Sequence, residues 1–206
     1  MFLRPIINQR EPNMRNKLDE QIILDAALKV FSRYGYKKST LEDIASELNM
    51  TNTAMYAYAA SKRDLYEQTV SYVMKRWQSS VEREVGEKNT AQEKMAALCE
   101  SALYYLAQDV EFCALLKNDP QIFPMFPTVD PYEEINRDSV RMIARILTFG
   151  QETGEFRAVD APAVSEVLFS IYKNFIIHTY INIEEDYTSR YLPITMELIL
   201  NGIKKV

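Results

Sequence analysis

The sequence is poor in the residues that build metal sites and catalytic centres. Its 206 residues include one histidine and two cysteines, whereas zinc sites usually draw several ligands from these two residue types. Cys-x-x-Cys, His-Glu-x-x-His, Gly-x-Gly-x-x-Gly, Walker and Gly-x-Ser-x-Gly motifs are all absent from it. Because no set of side chains with complementary catalytic roles can be assembled, we expect neither an enzyme, nor a metal site, nor a cofactor.

Long apolar runs are also lacking. No stretch of about 18 apolar residues occurs, so we expect no membrane span. The opening segment MFLRPIINQR has neither the long apolar core nor the small-residue cleavage site of a secretory signal, and we therefore expect a cytoplasmic protein. In that reducing setting we interpret Cys99 and Cys113 as ordinary buried thiols. The alternative is a redox switch between them.

Glycine is scarce, with five in the chain, while residues that favour helices, such as Leu, Ala, Glu and Met, are common. The composition therefore predicts an all-α fold. Charge is unevenly distributed: residues 1–64 hold ten Lys/Arg against eight Asp/Glu, and residues 65–206 hold fourteen against twenty-one, which gives the net charge of −5. A slightly basic first part can still bind DNA, because the phosphates interact with the electrostatic potential of the nearby protein surface and not with the net charge of the whole chain.

Residues 39–63 have the pattern of two short helices joined by a turn. Apolar residues recur at intervals of three and four, as on one face of an amphipathic helix, at Leu41, Ile44, Ala45 and Leu48. Thr40 precedes this run and Asp43 follows three positions later, which is the signal of a capping box at the helix start. Asn49 then ends the pattern, and asparagine tolerates a left-handed turn conformation.

A second short helix is predicted after this turn. Thr51 is placed to cap its N terminus. Its polar side carries Asn52, Thr53, Tyr56 and Tyr58. Ser61 with Asp64 repeats the cap signal for a third helix. Two helices joined by a tight turn, with the small Ala45 where they cross, are the pattern of a helix-turn-helix.

Residues 22–68 resemble the N-terminal domain of the TetR family of transcriptional repressors. The resemblance rests on Ala27, Phe31, Tyr34-Gly35, Thr40, Ile44-Ala45, Met55-Tyr56, Ser61-Lys62 and Leu65. The sequence departs from the family pattern at Asn49, where glycine is usual, and at Asn52, where lysine or arginine is common. The resemblance implies a DNA-binding three-helix head, a larger helical ligand-binding body and a homodimer.

On this basis we expect three parts: a flexible basic arm at 1–16, a helix-turn-helix DNA-binding domain at 17–63, and a helical ligand-binding and dimerisation domain at 64–206. The arm either reaches the DNA or is a plain disordered terminus. The expected DNA-binding residues are Thr40, Thr51, Asn52, Thr53, Tyr56, Tyr58 and Lys62. Asn52 and Thr53 are expected near base edges. Phosphates, which position rather than specify, are expected near Tyr56, Tyr58 and Lys62, and also at Thr40, at a helix N terminus.

Periodic apolar residues predict six helices in the body, at about 64–85, 90–108, 110–117, 132–153, 161–182 and 187–204. Four prolines within 118–131 exclude a regular helix there, and we interpret that segment as an irregular loop able to cover a ligand. The helix at 161–182 is apolar on two faces, so we expect its second face, which carries Phe169, Tyr172, Ile176 and Tyr180, to pack against another copy of the chain.

Large apolar side chains within residues 90–181 predict a cavity for a small apolar or aromatic effector, although most of them individually suit plain core packing. The candidate ligand-binding residues are Tyr105, Phe112, Phe123, Phe126, Phe149, Tyr172, Phe175 and His178. Tyr172 and His178 would supply the few polar groups of a mostly apolar site. The alternative for His178 is a hydrogen-bonded core histidine.

These features predict a homodimeric, ligand-responsive repressor that a small effector releases from a palindromic double-stranded DNA operator. The alternative is an all-helical interaction or adaptor protein whose helix-turn-helix only packs. The many outward hydrogen-bonding groups on the second short helix favour DNA binding, since a purely structural helix would not need them.

Overall fold

The computed structural model describes residues 14–125, 129–182, 184 and 186–205, with side chains from Glu20 onward. Across these ranges the chain forms α-helices and no β-strand, which confirms the predicted all-α fold. The helices are α1 Met14–Lys38, α2 Leu41–Glu47, α3 Asn52–Met55, α4 Lys62–Gly86, α5 Ala91–Gln108, α6 Val110–Asn118, α7 Glu133–Glu152, α8 Ala161–Ile176 and α9 Tyr187–Ile203. None of the helices in the described ranges has the length and apolarity that a membrane crossing requires.

Most of the predicted basic arm at 1–16 lies outside the residues that the structure describes. Residues 1–13 are outside the described ranges, and α1 already begins at Met14 rather than at residue 17. At its other end, Gly35 has a φ of 74°, the left-handed conformation that lets a chain leave a helix without a Cβ clash. The apolar stripe of residues 17–34, followed directly by a glycine, predicts a first helix over that range with Gly35 as its C-terminal cap. The backbone of Gly35 agrees with this prediction.

The turn between α2 and α3 forms as its sequence predicts. The Thr40 side chain accepts a hydrogen bond from the Asp43 backbone N–H, and the Asp43 carboxylate accepts one from the Thr40 backbone N–H at 2.7 Å. Asn49 has a φ of 53°, so the chain turns sharply at this residue. Ala45 is buried, and its small side chain allows the close approach of the two helices.

Helix α3 is shorter than the predicted helix. Thr51 caps it by accepting a hydrogen bond from the Ala54 N–H at 3.3 Å, but regular helix ends at Met55. Met55 and Ala59 are buried while the tyrosines beside them are exposed. The segment after Met55 is therefore held by these two apolar anchors and by turn hydrogen bonds from the Tyr58 and Ala59 N–H groups to the Met55 carbonyl, at 3.0 and 3.2 Å.

The body is formed by α4 to α9. Helix α4 begins after Ser61, whose side chain accepts a hydrogen bond from the Asp64 N–H at 3.1 Å. The helix connects the first three helices with the rest of the body. At residues 119–125 and 129–131, the described part of the proline-rich segment after α6, the chain is irregular as predicted, apart from a 3₁₀ turn at Pro120–Ile122. Helix α8 ends at Ile176 and widens into a π-helical turn at Ile177–Ile181, where three of five residues are β-branched and have low helix propensity.

Helix α9 lies on the outside of the protomer. Ile203 is its one buried residue among those described, although the helix is rich in apolar side chains. Its exposed apolar residues are Tyr191, Ile194 and Leu198, and Val167 of α8 is also exposed. Phe169, by contrast, is 7% exposed; our expectation that the second apolar face of α8 meets another subunit therefore does not hold for this residue, which packs inside the protomer.

Candidate DNA-binding surface and effector cavity

Helix α3 and the residues after it present a polar surface. Thr51, Asn52 and Thr53 are exposed at the start of the helix. Tyr56 and Tyr58 follow, and their side chains are exposed as well. The five residues predicted to contact DNA in this segment thus share one solvent-facing region, where amide, hydroxyl and phenol groups are free to approach a groove.

Two other predicted DNA contacts are engaged within the protein. The Thr40 hydroxyl donates to the Asp43 carboxylate at 2.7 Å, so a phosphate at this helix start would lie beside a negative charge. The Lys62 ammonium group donates to the backbone carbonyls of Tyr36 and Ser39 at 2.9 and 3.0 Å and lies 4.5 Å from the centre of the Tyr36 ring. Lys62 therefore anchors the loop before α2, and one of its three N–H donors remains for other partners.

The body encloses two small apolar cavities, each of about 30 Å³. The first, the α7 cavity, lies between α4, α5, α7 and α8, and its lining includes Trp77, Gln78, Met142 and Phe169. The second, the α9 cavity, lies between α5, α7, α8 and α9, and its lining includes Cys99, Phe175 and Met196. Ligand sites usually have volumes of roughly 300–1,000 Å³, so neither cavity admits an effector without movement of its walls.

The two cavities share one wall. Leu98, Ile143 and Tyr172 line both of them, and the Tyr172 ring stacks on Trp77 with ring centres 5.9 Å apart. Burial raises the pKa of Tyr172 well above its ordinary value, which keeps the phenol neutral. Displacement of this side chain would open part of the wall between the two cavities.

The predicted effector residues fall into different places. Tyr172 and Phe175 line the interior cavities, and Tyr105 lines an open cleft outside them. Phe112 and Phe123 are buried core residues that pack edge-on against Trp77. Phe149 is half-buried beside Lys94, away from both cavities. Phe126 lies outside the described residues.

His178 occupies the corner between α8 and α9 rather than a cavity wall. Its Nδ1 lies 2.7 Å from a Glu184 carboxylate oxygen, and its ring stacks on Tyr187 with centres 4.2 Å apart. The Tyr187 hydroxyl in turn donates to the Asn174 side chain at 2.6 Å. His178 is thus hydrogen-bonded at a partly exposed position, and the structure places it neither on a cavity wall nor in the core.

Sequence reasoning missed the residues that shape the α7 cavity. The sequence of α4 favours a packing role for Trp77, yet this residue lines both this cavity and an outer cleft. The Gln78 amide donates to the Ile135 carbonyl and to the Ser139 hydroxyl, both at 2.6 Å. Gln78 next to Trp77 in an apolar stripe could have indicated this cavity. A polar side chain that is buried in a core needs a hydrogen-bond partner there.

Hydrogen bonds and ion pairs join α6 to α1 and to α4, and join α4 to α1. The Asn118 amide donates to the Ser32 carbonyl of α1 at 2.8 Å. The Tyr66 phenol donates to the Asp119 carboxylate at 2.6 Å. The Arg76 guanidinium pairs with Asp25 of α1 at 3.1 Å and, at 2.6 Å, with the aspartate that caps α6. The end of α6 is therefore tied both to α1 and to α4.

Comparisons with known proteins identify the N-terminal part of the chain. Residues 23–69 match the model of the tetR family of bacterial regulatory proteins. Over 48 residues the chain is 42% identical to the biofilm operon icaADBC HTH-type negative transcriptional regulator IcaR of Staphylococcus aureus (strain Newman). That match covers 23% of this chain and 26% of IcaR.

Two further similarities extend over most of the chain. It is 22% identical over 182 residues to the fatty acid metabolism regulator protein of Bacillus subtilis (strain 168), which covers 88% of this chain and 93% of the relative. The crystal structure of the transcriptional regulator FadR from Bacillus subtilis in complex with stearoyl-CoA matches with a TM-score of 0.72 and 22% identity, over 89% of this chain and 98% of FadR. Residues 23–69 thus match the helix-turn-helix domain of the tetR family, and the chain shares its fold with a solved transcriptional regulator.

Proposed function

We propose that this chain is a transcriptional repressor that binds a DNA operator as a homodimer and is released by a small effector with an apolar chain. The observation that carries the proposal is the exposed polar surface of α3 within a helix-turn-helix domain of the TetR family, on a body with two interior apolar cavities. The negative transcriptional regulator IcaR, which shares this domain, supports repression rather than activation.

In the proposed complex, α3 enters the major groove. Asn52 and Thr53 lie near base edges, where amide and hydroxyl groups distinguish donors from acceptors. Tyr56 and Tyr58 contact phosphates, which fix the register of the protein on the duplex. Lys62 acts by holding the loop before α2 through its bonds to two carbonyls. In this proposal residues 17–63 bind DNA, and residues 64–206 bind the effector and the partner subunit.

The proposed dimer forms through α8 and α9. The exposed apolar side chains Val167, Ile194 and Leu198 lie on these two helices. An apolar surface of this kind is stabilised when a second copy covers it, and most soluble homo-oligomers are two-fold symmetric. A two-fold dimer would present two α3 helices to a palindromic operator, with half-sites about 34–36 Å apart or a multiple of that distance.

The proposed effector has a long apolar portion. The two cavities adjoin at Tyr172 and their linings together reach from α4 to α9, an extent that suits an extended chain better than a compact ring system. The fatty acid metabolism regulator and the FadR complex with stearoyl-CoA support the same chemical class. Because the cavities are small, the effector would select a state in which Tyr172 and Met142 have moved, and its binding would be coupled to that change.

The proposed coupling runs through the end of α6. Movement of α8 and α7 around a bound chain would press on Phe112 and Phe123 through Trp77. These residues belong to the segment that contacts Ser32 and Tyr66, so α1 and α4 would tilt with it. A typical coupling free energy of ~1–3 kcal/mol would lower DNA affinity by roughly 5–150-fold.

The test begins with selection of bound duplexes from a random DNA library, followed by release of the selected operator with long-chain amphiphiles. We expect a palindromic consensus and loss of binding when the effector is added. A protein that selects no sequence, and whose retention on bulk DNA does not fall with salt, would be the adaptor of the alternative interpretation.

A further inference from the structure

Two open clefts lie on the outer side of α4 and α5. The α4/α5/α6 cleft has a volume of about 620 Å³ and is lined by Trp77, Tyr105 and Glu111 among others. The α4/α5 cleft has a volume of about 640 Å³, and its lining includes Glu100 and Ser101. Tyr105 lines both clefts, so they adjoin at this residue. We call the two clefts together the outer site; each has a size that suits the polar part of an amphiphile.

Trp77 separates this outer site from the interior. Its side chain lines the α4/α5/α6 cleft and also the α7 cavity. One hydrogen bond, from the indole N–H to the Ala102 carbonyl at 2.8 Å, fixes the ring together with its packing against aromatic neighbours. A shift of this one ring would connect the outer site with the interior cavities, and Trp77 therefore occupies the position of a gate.

Negative charge dominates the outer site. Its carboxylates are Glu84, Glu93, Glu100, Asp109 and Glu111, and its cations are Arg76 and Lys88. Both cations are paired, Arg76 with two aspartates and Lys88 with Glu84 at 2.6 Å. Glu100 and Glu111 form no ion pair with any residue in the described ranges. A polyanionic head group would be repelled here, whereas a cation would be attracted.

An unsatisfied hydroxyl group lies on the wall of the same site. Ser101 is buried, and in the part of the chain that the structure describes its Oγ is the one buried side-chain polar atom without a hydrogen-bond partner. Such atoms are costly and uncommon in native proteins. A ligand with an N–H donor in the α4/α5 cleft would satisfy Ser101 after a small shift of the side chain. The same ligand could lie against the Tyr105 ring, as cations do on aromatic faces.

We propose that the effector is an amphiphile with a cationic head group, which lies in the outer site between Tyr105 and Glu100, while its apolar chain passes Trp77 into the interior cavities. This inference rests on the proposed ligand-responsive function and adds the charge of the ligand and its route. A cationic effector would distinguish this chain from regulators that bind acyl-CoA, because the head group of acyl-CoA carries several negative phosphate charges.

The test uses Trp77 as the reporter, because it is the one tryptophan of the sequence. The emission of the full chain is titrated with dodecylammonium, dodecanoate and lauroyl-CoA, which share one chain length and differ in head group. We expect a saturable change with dodecylammonium at concentrations about tenfold lower than with either anion, a ratio that corresponds to ~1.4 kcal/mol. Release of the selected operator is measured in parallel by fluorescence anisotropy of labelled DNA.

Matched variants locate the head group. Replacing both Glu100 and Glu111 by glutamine should reduce the preference for dodecylammonium to less than about threefold. Glu152→Gln removes the same charge from an exposed position at the end of α7 and should leave the preference unchanged. Tighter binding of lauroyl-CoA, an unchanged preference in the double variant, or no emission change with any amphiphile would each overturn the inference.

The operator measurement separates the two proposals. If lauroyl-CoA releases the operator while dodecylammonium does not, the ligand-responsive function stands and the cationic head group is wrong. If dodecylammonium saturates the Trp77 signal without releasing DNA, the site stands and the ligand-responsive function is wrong.

Discussion

The Tyr66 phenol in α4 donates a 2.6 Å hydrogen bond to the carboxylate of Asp119, at the end of α6. Burial raises the pKa of Tyr66, and the neighbouring carboxylate raises it further, so the phenol remains a hydrogen-bond donor throughout the physiological pH range. The Asp119 side chain also caps the 3₁₀ turn that follows. One contact therefore joins the helix that leaves the DNA-binding domain to the start of the proline-rich segment.

Tyr66→Phe removes this hydrogen bond and keeps the ring. We expect a loss of about 1 kcal/mol in the free energy of unfolding, nearly unchanged operator affinity without effector, and a weaker loss of affinity when effector is added. Tyr34→Phe is the control, because Tyr34 is exposed. The measurements are urea unfolding and anisotropy titrations with and without effector. A full effector response in Tyr66→Phe would exclude this contact from the coupling.

Asn52→Ala tests base recognition by α3. Asn52 is exposed, so the folded state should keep its stability. The wild type should prefer the selected operator over operators altered at the contacted base pair. In the variant this difference in binding free energy should shrink by ~1–3 kcal/mol, since a bidentate amide contact contributes about that much discrimination. Tyr56→Phe should instead weaken all sequences to a similar degree. If Asn52→Ala lost the same affinity for every operator, Asn52 would contact the DNA phosphates rather than a base.

Leu198→Asp tests the proposed dimer. Leu198 is 70% exposed in the protomer, so an aspartate there should not disturb its core, but it would bury a charge in the dimer. We expect the wild type to sediment as a dimer at micromolar concentration and the variant as a folded monomer with weak operator binding. Val129→Asp alters a residue that is 81% exposed outside these helices and should remain dimeric. If the wild type sedimented as a monomer at micromolar concentration, the proposed dimer would be wrong.

Gly150→Ala tests the packing between α7 and the segment before α8. A Cβ atom at Gly150 would lie 2.1 Å from the buried Phe156 ring, so the ring must move, and overpacking of this kind costs ~1–3 kcal/mol. Gly86→Ala meets no atom within 4 Å and should be neutral or stabilising by up to about 1 kcal/mol. Thermal unfolding of both variants measures the difference. Equal midpoints would show that the Phe156 side chain adapts freely.

Thiol reactivity tests the two cysteines. Burial raises the pKa of Cys99 to about 12 and that of Cys113 to about 11. Because the thiolate is the reactive form, raised pKa values mean little thiolate at neutral pH. We expect alkylation of the folded protein to be much slower than that of the unfolded chain at pH 8, and to accelerate as the pH rises toward 10. Fast alkylation of either residue at pH 8 would restore the redox-switch interpretation.

The sequence by itself determined the local features of the DNA-binding domain. The capping box of Thr40 and Asp43, the turn at Asn49 and the C-terminal cap at Gly35 all formed where they were predicted. Each of these depends on hydrogen bonds or backbone angles within a few residues, which local composition fixes. The irregular proline-rich segment was predictable for the same reason, since proline lacks the N–H that a helix requires.

Only the tertiary structure decided which partners the apolar and charged side chains have. Periodicity placed Phe169 on an apolar face of α8 but did not reveal that this face is covered by the protomer's own core. Lys62 has the residue type of a phosphate contact, yet the fold brings two carbonyls from a distant part of the sequence to its ammonium group. Trp77 separates a cavity from a cleft because four helices meet around it, and helix crossings depend on side-chain packing between segments that are far apart in sequence.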